Sequence, residues 1–131
     1  MGHGTFTTVI NCMDGRTQLP VNDFLKERYG VDYVDTITEP GPEGILVGSG
    51  TALASSIRTR VAISVEKHGS KAVALVAHHD CAGNPVSEEQ RKEQAVRALD
   101  AIQSWGFGVE VLALWVGDDW SVEVLEVRQV G

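Results

Sequence analysis

The chain has 131 residues, the length of one domain with a single core, and 43% of them are hydrophobic, an ordinary fraction for a soluble globular protein. Its formal net charge is −7 and its basic residues are not clustered, which argues against a surface for nucleic acid or an anionic membrane. No apolar stretch approaches the roughly 18 residues that span a bilayer, and the first residues lack the pattern of a secretory signal. We therefore expect one domain over residues 1–131, located in the cytoplasm.

The first half of the chain alternates between strand and helix patterns. Residues 5–12 (TFTTVINC) are rich in β-branched and aromatic side chains, which predicts a strand. A short helix is predicted over 20–30, with proline near its start and glycine as its stop. Residues 31–38 alternate as a second strand does, and the dense proline and glycine of 39–44 (EPGPEG) predict a loop.

The second half continues this alternation. Apolar residues recur at helical spacing over 50–69, and the nearly uniformly apolar segment 71–78 is typical of a strand covered on both faces. A serine cap, early acidic residues and an apolar stripe predict a helix over 87–106. Residues 109–117 have the pattern of another buried strand, and 121–130 alternate as an edge strand does.

The predicted order β-α-β-α-β-α-β-β indicates an α/β fold, a three-layer sandwich around a mainly parallel sheet with right-handed crossovers. Only GDDW separates the last two strands, too short a link for a crossover, so the fifth strand should return antiparallel at the edge of the sheet. In open sheets of this kind, ligands bind beyond the carboxyl ends of the strands where the strand order reverses. If the order is 2-1-3-4, that point lies between the first and third strands.

Two cysteines and a histidine stand at the ends of those two strands. Cys12 ends the first strand, and His78 and Cys81 lie at the end of the third. In a reducing compartment, paired cysteines more often serve metal or redox chemistry than a disulfide. Two thiolates and one imidazole suit zinc, and three protein ligands leave a fourth position for a water whose pKa the metal lowers to about 7. We predict that this trio binds Zn²⁺.

Asp14 and Arg16 follow Cys12 in the same loop. A carboxylate paired with an arginine stays ionised and fixed in direction. Asp14 could then accept a hydrogen bond from the zinc-bound water, or occupy the fourth position itself. Arg16 would supply local positive charge, which suits an anionic product. The simpler alternative is an ion pair that stabilises the loop and has no catalytic role.

At this point two motifs resemble those of the β-class carbonic anhydrases. CMDGR at 12–16 matches the family's Cys-x-Asp-x-Arg motif, and HHDC at 78–81 matches its His-x-x-Cys motif. The likeness continues through YGVDYVDTITEPGP, SSIRTRVAISVEKHGSKAVALVAHHDC and VEVLALWVGDDWSVEVL, so that it covers most of the chain. One departure is the segment between Cys81 and the fourth strand, a single predicted helix where the family usually has several.

The resemblance implies zinc on Cys12, His78 and Cys81, a catalytic dyad of Asp14 and Arg16, and the sheet order 2-1-3-4 with an antiparallel fifth strand. The implied reaction is the reversible hydration of CO2 to bicarbonate, catalysed by a carbonate dehydratase (a lyase) that forms a homodimer or a larger homo-oligomer. Two alternatives stay open. One is hydrolysis of carbonyl sulfide or carbon disulfide at the same zinc, and the other is a zinc-binding protein without catalysis, which the shortened middle segment favours.

Neighbouring polar and aromatic residues have simpler interpretations. His79 would replace His78 as a ligand only if the turn were shifted by one residue. Asp80 is more typical of a turn cap than of a group that orients a ligand, and His68 suits the C-terminus of its helix. Core or interface positions are expected for the three tryptophans, Trp105, Trp115 and Trp120.

Overall fold

The structure, a computed structural model, describes residues 4–48 and 51–130. Its strands and helices are, in chain order, β1 (Phe6–Cys12), α1 (Gln18–Tyr29), β2 (Tyr33–Glu39), α2 (Pro42–Val47), α3 (Ala52–His68), β3 (Ala72–His78), α4 (Glu88–Ser104), β4 (Glu110–Val116) and β5 (Val122–Arg128). A 3-10 turn over Gly15–Thr17 precedes α1. The predicted elements end within two residues of the observed ones, and Gly50, where one predicted helix began, lies outside the described residues.

The five strands form one sheet in the order β2-β1-β3-β4-β5. All neighbouring pairs are parallel except β4 and β5, which are antiparallel and contain a register irregularity at Ala113/Leu114. Both the order and the antiparallel edge strand confirm the prediction. Because β1 and β3 are parallel neighbours, their carboxyl ends, Cys12 and His78, emerge at the same edge of the sheet.

Apolar side chains of the central strands alternate between two cores, one on each face of the sheet. On one face, Ile10 and Leu75 pack against side chains from α2, α3 and α4. On the other face, Val9 and Val76 pack against Val21 and Leu25 of α1 and against neighbouring strands. Helices therefore cover both faces of the sheet, which confirms the three-layer sandwich. None of the helices in ranges 4–48 and 51–130 has the length and apolar character needed to cross a membrane.

The segment that begins at Pro40 is where the prediction of a loop is wrong. A short helix, α2, starts at Pro42, and its Leu46 is buried in the core. Proline fits this first turn because its missing N–H would have no partner there. Gly41 precedes it with φ +63°, and a Cβ at that position would lie 2.7 Å from the Cβ of Asn84. The glycine and proline that indicated a loop are thus the start of a helix packed closely on another segment.

Candidate metal centre

Three potential metal ligands meet at the carboxyl edge of the sheet. Cys12 is the last residue of β1, His78 is the last residue of β3, and Cys81 lies in the turn that follows. Their ligand atoms all lie within 4.8 Å of one another, and all three residues are buried. The two sulfur atoms are 3.9 Å apart and both cysteines are free, since a disulfide requires about 2.05 Å. The structure therefore brings together the trio that the sequence singled out.

The hydrogen bonding of His78 fixes which ring nitrogen is available. Its Nδ1 lies 2.7 Å from the backbone oxygen of His79, and a carbonyl can only accept, so we assign the ring proton to Nδ1. Nε2 then carries a lone pair, yet it is fully buried without a hydrogen-bond partner among the described residues. Metal-binding histidines commonly use one nitrogen for the metal and donate from the other in this way. The ring is thus oriented as a ligand would be.

The two thiols differ in their electrostatic surroundings. Burial works against ionisation of Cys12, but the His78 ring and the backbone N–H groups of Gly41 and Asp14 outweigh it, and the pKa of Cys12 is lowered. Burial, together with the nearby Cys12, raises the pKa of Cys81 to about 11. The Cys12 thiol therefore ionises more readily than a free cysteine, and the Cys81 thiol ionises less readily. A bound cation of charge +2 would supply the attraction that ionises the second thiol.

Asp14 and Arg16 form the predicted ion pair beside the cluster. The Arg16 side chain donates to both carboxylate oxygens, with Nη2 2.6 Å from Oδ2 and Nε 3.0 Å from Oδ1. The backbone N–H of Arg16 also donates to Oδ1, which makes Asp14 the cap of the 3-10 turn. These hydrogen bonds to Arg16 lower the pKa of Asp14 to about 2 and raise that of Arg16 further above its already high value. Asp14 is consequently an ionised acceptor at neutral pH.

The neighbours of His78 turn away from the cluster. His79 is 39% exposed at its side chain, and its Nδ1 contacts the Glu88 carboxylate, so the alternative in which it replaces His78 is not the arrangement observed. Asp80, expected to cap the turn, instead accepts from Arg16, with 3.3 Å between Nη1 and Oδ2 and 3.2 Å between Nη2 and the Asp80 backbone oxygen. Arg16 therefore joins the loop after β1 to the turn after β3.

Arg91, near the start of α4, contacts the end of β3, where His78 lies. It is only 5% exposed, and its Nε donates to the backbone oxygen of His78 at 3.0 Å. Its Nη1 contacts the backbone oxygen of Val86, and its guanidinium lies 5.8 Å from the Trp115 ring centroid. Sequence reasoning missed this residue, because one arginine in a helix rich in charged residues carries no distinguishing signal.

A second missed group is a buried polar network beside Cys81. Glu43 of α2 is fully buried, and one of its carboxylate oxygens accepts from Asn84 Nδ2 at 2.8 Å. The same nitrogen lies 2.7 Å from Gln94 Oε1 on α4. Burial raises the pKa of Glu43. The network connects α2 and α4 to the turn after β3, which contains Cys81. It was missed because Glu43 lies in a segment that the sequence analysis interpreted as a loop.

An open cleft of about 470 Å³ borders the cluster on the Cys81 side. Its wall combines the apolar side chains of Ala82, Pro85 and Val86 with Arg91 and exposed polar groups. A second cavity, of about 420 Å³, lies at the opposite edge of the sheet, beside Phe6 and His68. Of these two cavities, the first is the one lined by a member of the cluster, Cys81.

These features define an α/β protein with a buried Cys/His/Cys cluster where the strand order of its sheet reverses. A family model described as "Putative carbonic anhydrase" matches residues 2–126 of the chain. The chain belongs to the carbonic anhydrases, and its fold is that of the β class.

Two solved structures share this fold. The β-carbonic anhydrase isoform I of Trichomonas vaginalis superposes with a TM-score of 0.61 at 13% sequence identity, over 90% of this chain and 81% of that chain. For the carbonic anhydrase of Streptococcus mutans, the TM-score is 0.58 at 14% identity, over 95% of this chain and 81% of that chain. No match was found among the curated proteins. At these identities the similarity establishes the fold, and the activity has to be inferred from the site.

Proposed function

We propose that the protein is a zinc-dependent carbonate dehydratase that interconverts CO2 and bicarbonate. The observation that carries the proposal is the buried trio of Cys12, His78 and Cys81, with the unpartnered His78 Nε2 among two sulfur atoms. This sulfur and nitrogen donor set suits zinc, and the three residues would hold it. When bound at such a site, zinc lowers the pKa of a coordinated water toward 7 and so supplies a nucleophile at neutral pH.

In this proposal Asp14 accepts a hydrogen bond from the attacking water and thereby orients it. Its pKa of about 2 keeps the carboxylate ionised, so at neutral pH it accepts and does not donate. Arg16 holds both carboxylate oxygens and adds positive charge near the forming bicarbonate. The apolar part of the cleft wall suits a small, linear, nonpolar substrate such as CO2. In this proposal Asp14 would leave the fourth metal position to water, because its oxygens are not part of the cluster of ligand atoms.

The test is stopped-flow CO2 hydration near pH 8.5 with protein whose zinc content has been quantified. We expect the zinc-loaded wild type to exceed the buffer rate, and Asp14→Asn to reduce kcat/KM by about 100-fold at unchanged zinc content, because orienting and proton-accepting groups contribute on that scale. Asp23→Asn, the same change at an exposed position on α1, should match the wild type.

A wild type that holds one zinc per chain and matches the buffer rate would overturn the proposal. Carbonyl sulfide and carbon disulfide would then be the next substrates to try. The single helix between Cys81 and β4, now seen in the structure, also keeps a zinc-binding role without catalysis as the second candidate.

We further propose that the protein acts in the cytoplasm as a homo-oligomer. Its two cysteines are free, as a reducing compartment would keep them. Several large apolar side chains are more than half exposed, which supports association between copies; they are Met13, Leu19, Tyr33, Leu53, Ile63 and Val130. Multi-angle light scattering of the zinc-loaded protein measures the oligomeric state directly, and a clean monomer would contradict this part of the proposal.

A further inference from the structure

The turn between β4 and β5 holds Trp120 in an uncommon backbone conformation. Its φ is +62°, a left-handed value that a bulky side chain rarely adopts. Hydrogen bonds nevertheless stabilise the turn. The Trp120 N–H donates to the Gly117 oxygen at 3.0 Å, and Asp119 accepts from both the N–H and the hydroxyl of Ser121. Strained residues of this kind persist where the surroundings over-determine them, often at functional sites.

The Trp120 ring lies against the arginine of the candidate dyad. The Arg16 guanidinium carbon is 4.6 Å from the ring centroid, which is within the range of a cation–π contact. The His79 ring packs against the same indole in a T-shaped arrangement, with 6.3 Å between the ring centroids and an interplanar angle of 68°. Trp120 thus bridges the loop after β1 and the turn after β3, the two segments that carry the metal ligands.

Arg16 needs such a support because its side chain is 47% exposed. Its hydrogen bonds to Asp14 and Asp80 engage the edges of the guanidinium and leave its faces for another group. An aromatic face against the guanidinium fixes that plane and reduces the number of competing rotamers. The orientation of Asp14 depends on the guanidinium in turn, since Arg16 donates to both carboxylate oxygens.

We propose that Trp120 is a positioning residue that holds the Arg16 guanidinium in the plane from which it donates to Asp14. The consequence for catalysis rests on the proposed CO2 hydration, whereas the structural effect on Arg16 does not. Trp120 also packs beside the apolar core under α1, so the experiment has to separate packing from positioning.

The first measurement is the NMR signal of the Arg16 Nε–H group in zinc-loaded protein, assigned by its absence in Arg16→Lys. We expect Trp120→Leu to remove the ring-current shift of this group and to speed its exchange with solvent about tenfold. Trp120→Phe should retain most of the shift and of the protection, because it keeps an aromatic face. Trp105→Leu is the matched control, since Trp105 packs on Phe107 and makes no contact with Arg16.

The second measurement is kcat/KM for CO2 hydration in the same proteins. Trp120→Leu should lower it by about fivefold at unchanged zinc content, the size expected for a partly exposed cation–π contact, while Trp120→Phe stays near the wild type. In an Asp14→Asn background the Leu substitution should have a smaller effect than in the wild type, because the carboxylate that it positions through Arg16 is already replaced and only the positive charge of Arg16 can still be misplaced. Trp120→Asn provides a second variant without the ring, and asparagine accepts the left-handed backbone.

An Arg16 signal with the same exchange rate in wild type, Trp120→Leu and Trp120→Asn would overturn the positioning role. So would equal additional losses of activity from Trp120→Leu in the wild-type and Asp14→Asn backgrounds. If the zinc-loaded wild type hydrates no CO2, the proposed function fails, but the Nε–H exchange still decides whether Trp120 positions Arg16.

Discussion

His78 and Glu43 each bury a polar atom, Nε2 and Oε1 respectively, that has no hydrogen-bond partner among the described residues. Burying such an atom without a partner typically costs about 1–3 kcal/mol, so each instance calls for an explanation. For Nε2 the proposed metal would be that partner, because the sulfur atoms of Cys12 and Cys81 belong to the same cluster. For Glu43, burial raises the pKa and so favours the neutral carboxyl, which is less costly to bury than a carboxylate.

The raised pKa of Glu43 predicts how stability changes with pH. Above its ordinary pKa of 4.5 the unfolded chain releases this proton while the folded chain retains it, so the free energy of unfolding falls as pH rises toward the folded pKa. The Glu43→Gln side chain cannot ionise and keeps an oxygen to accept from Asn84. As pH rises, the free energy of unfolding of this variant should therefore increase relative to that of the wild type, by at most about 1.4 kcal/mol per pH unit.

Urea unfolding of both proteins between pH 4.5 and 7.5 measures this difference. Glu66→Gln, the same change at an exposed position on α3, is the control and should track the wild type. A stability difference between Glu43→Gln and the wild type that stays constant with pH would show that Glu43 does not retain its proton.

At the scale of elements, the starts of two helices support the site. The backbone N–H of Gly41, at the start of α2, helps to lower the pKa of Cys12, and Glu43 in the same helix accepts from Asn84 in the turn after β3. The first turn of α4 contributes Arg91, which donates to the backbone oxygen of His78. The helices therefore contribute both a backbone N–H and side chains to the surroundings of the ligands.

The N-terminus of α4 contains a complete capping box, as its sequence predicted in part. Ser87 Oγ accepts from the Gln90 N–H at 3.1 Å, and Gln90 Oε1 accepts from the Ser87 N–H at 3.2 Å. Ser87→Ala leaves an N–H of the first turn without its partner, and we expect it to lower the free energy of unfolding by about 1 kcal/mol. Chemical denaturation measures the change.

Ser55→Ala is the matched control for this prediction. Ser55 lies exposed within α3, where alanine is the better helix former, so the substitution should be neutral or slightly stabilising. Equal effects at the two serines would mean that the cap adds nothing to the stability of the protein.

At the scale of the whole molecule, the site joins distant parts of the chain. Cys12 and Cys81 are 69 residues apart in sequence, yet their sulfur atoms are 3.9 Å apart. A metal bound by both would link the loop after β1 to the turn after β3 and would favour only the folded state. Metal binding of this kind adds directly to the free energy of folding.

Zinc should therefore stabilise the protein against heat. At a free zinc concentration about 100 times its Kd, binding adds about 2.7 kcal/mol, which corresponds to a rise of about 10 °C in Tm for a chain of this size. Calorimetry of chelated and zinc-loaded protein measures the rise. Cys81→Ser, which removes one thiolate, should lose most of it, and Mg²⁺ should not replace zinc because it prefers oxygen ligands. Equal Tm values with and without zinc would contradict a metal site.

Periodicity and end signals in the sequence were sufficient to predict eight of the nine helices and strands in the described part of the chain. They also predicted that the last strand is antiparallel and that the fold has three layers. These features depend on local patterns, such as alternation in β5, the serine cap of α4 and the four-residue link after β4. The same local chemistry failed at α2, because Gly41 and Pro42 are as typical of a loop as of a helix start, and only packing on Asn84 distinguishes the two.

The sequence by itself determined the candidate site residues, because residue type and spacing within two motifs selected Cys12, Asp14, Arg16, His78 and Cys81. Only the tertiary structure decided that β1 and β3 are neighbours, that His78 and not His79 belongs to the cluster with the sulfur atoms, and that Asp80 and Trp120 contact Arg16. The physical reason is that side-chain identity is local, whereas contacts such as Trp120 on Arg16 depend on how the whole sheet places its loops.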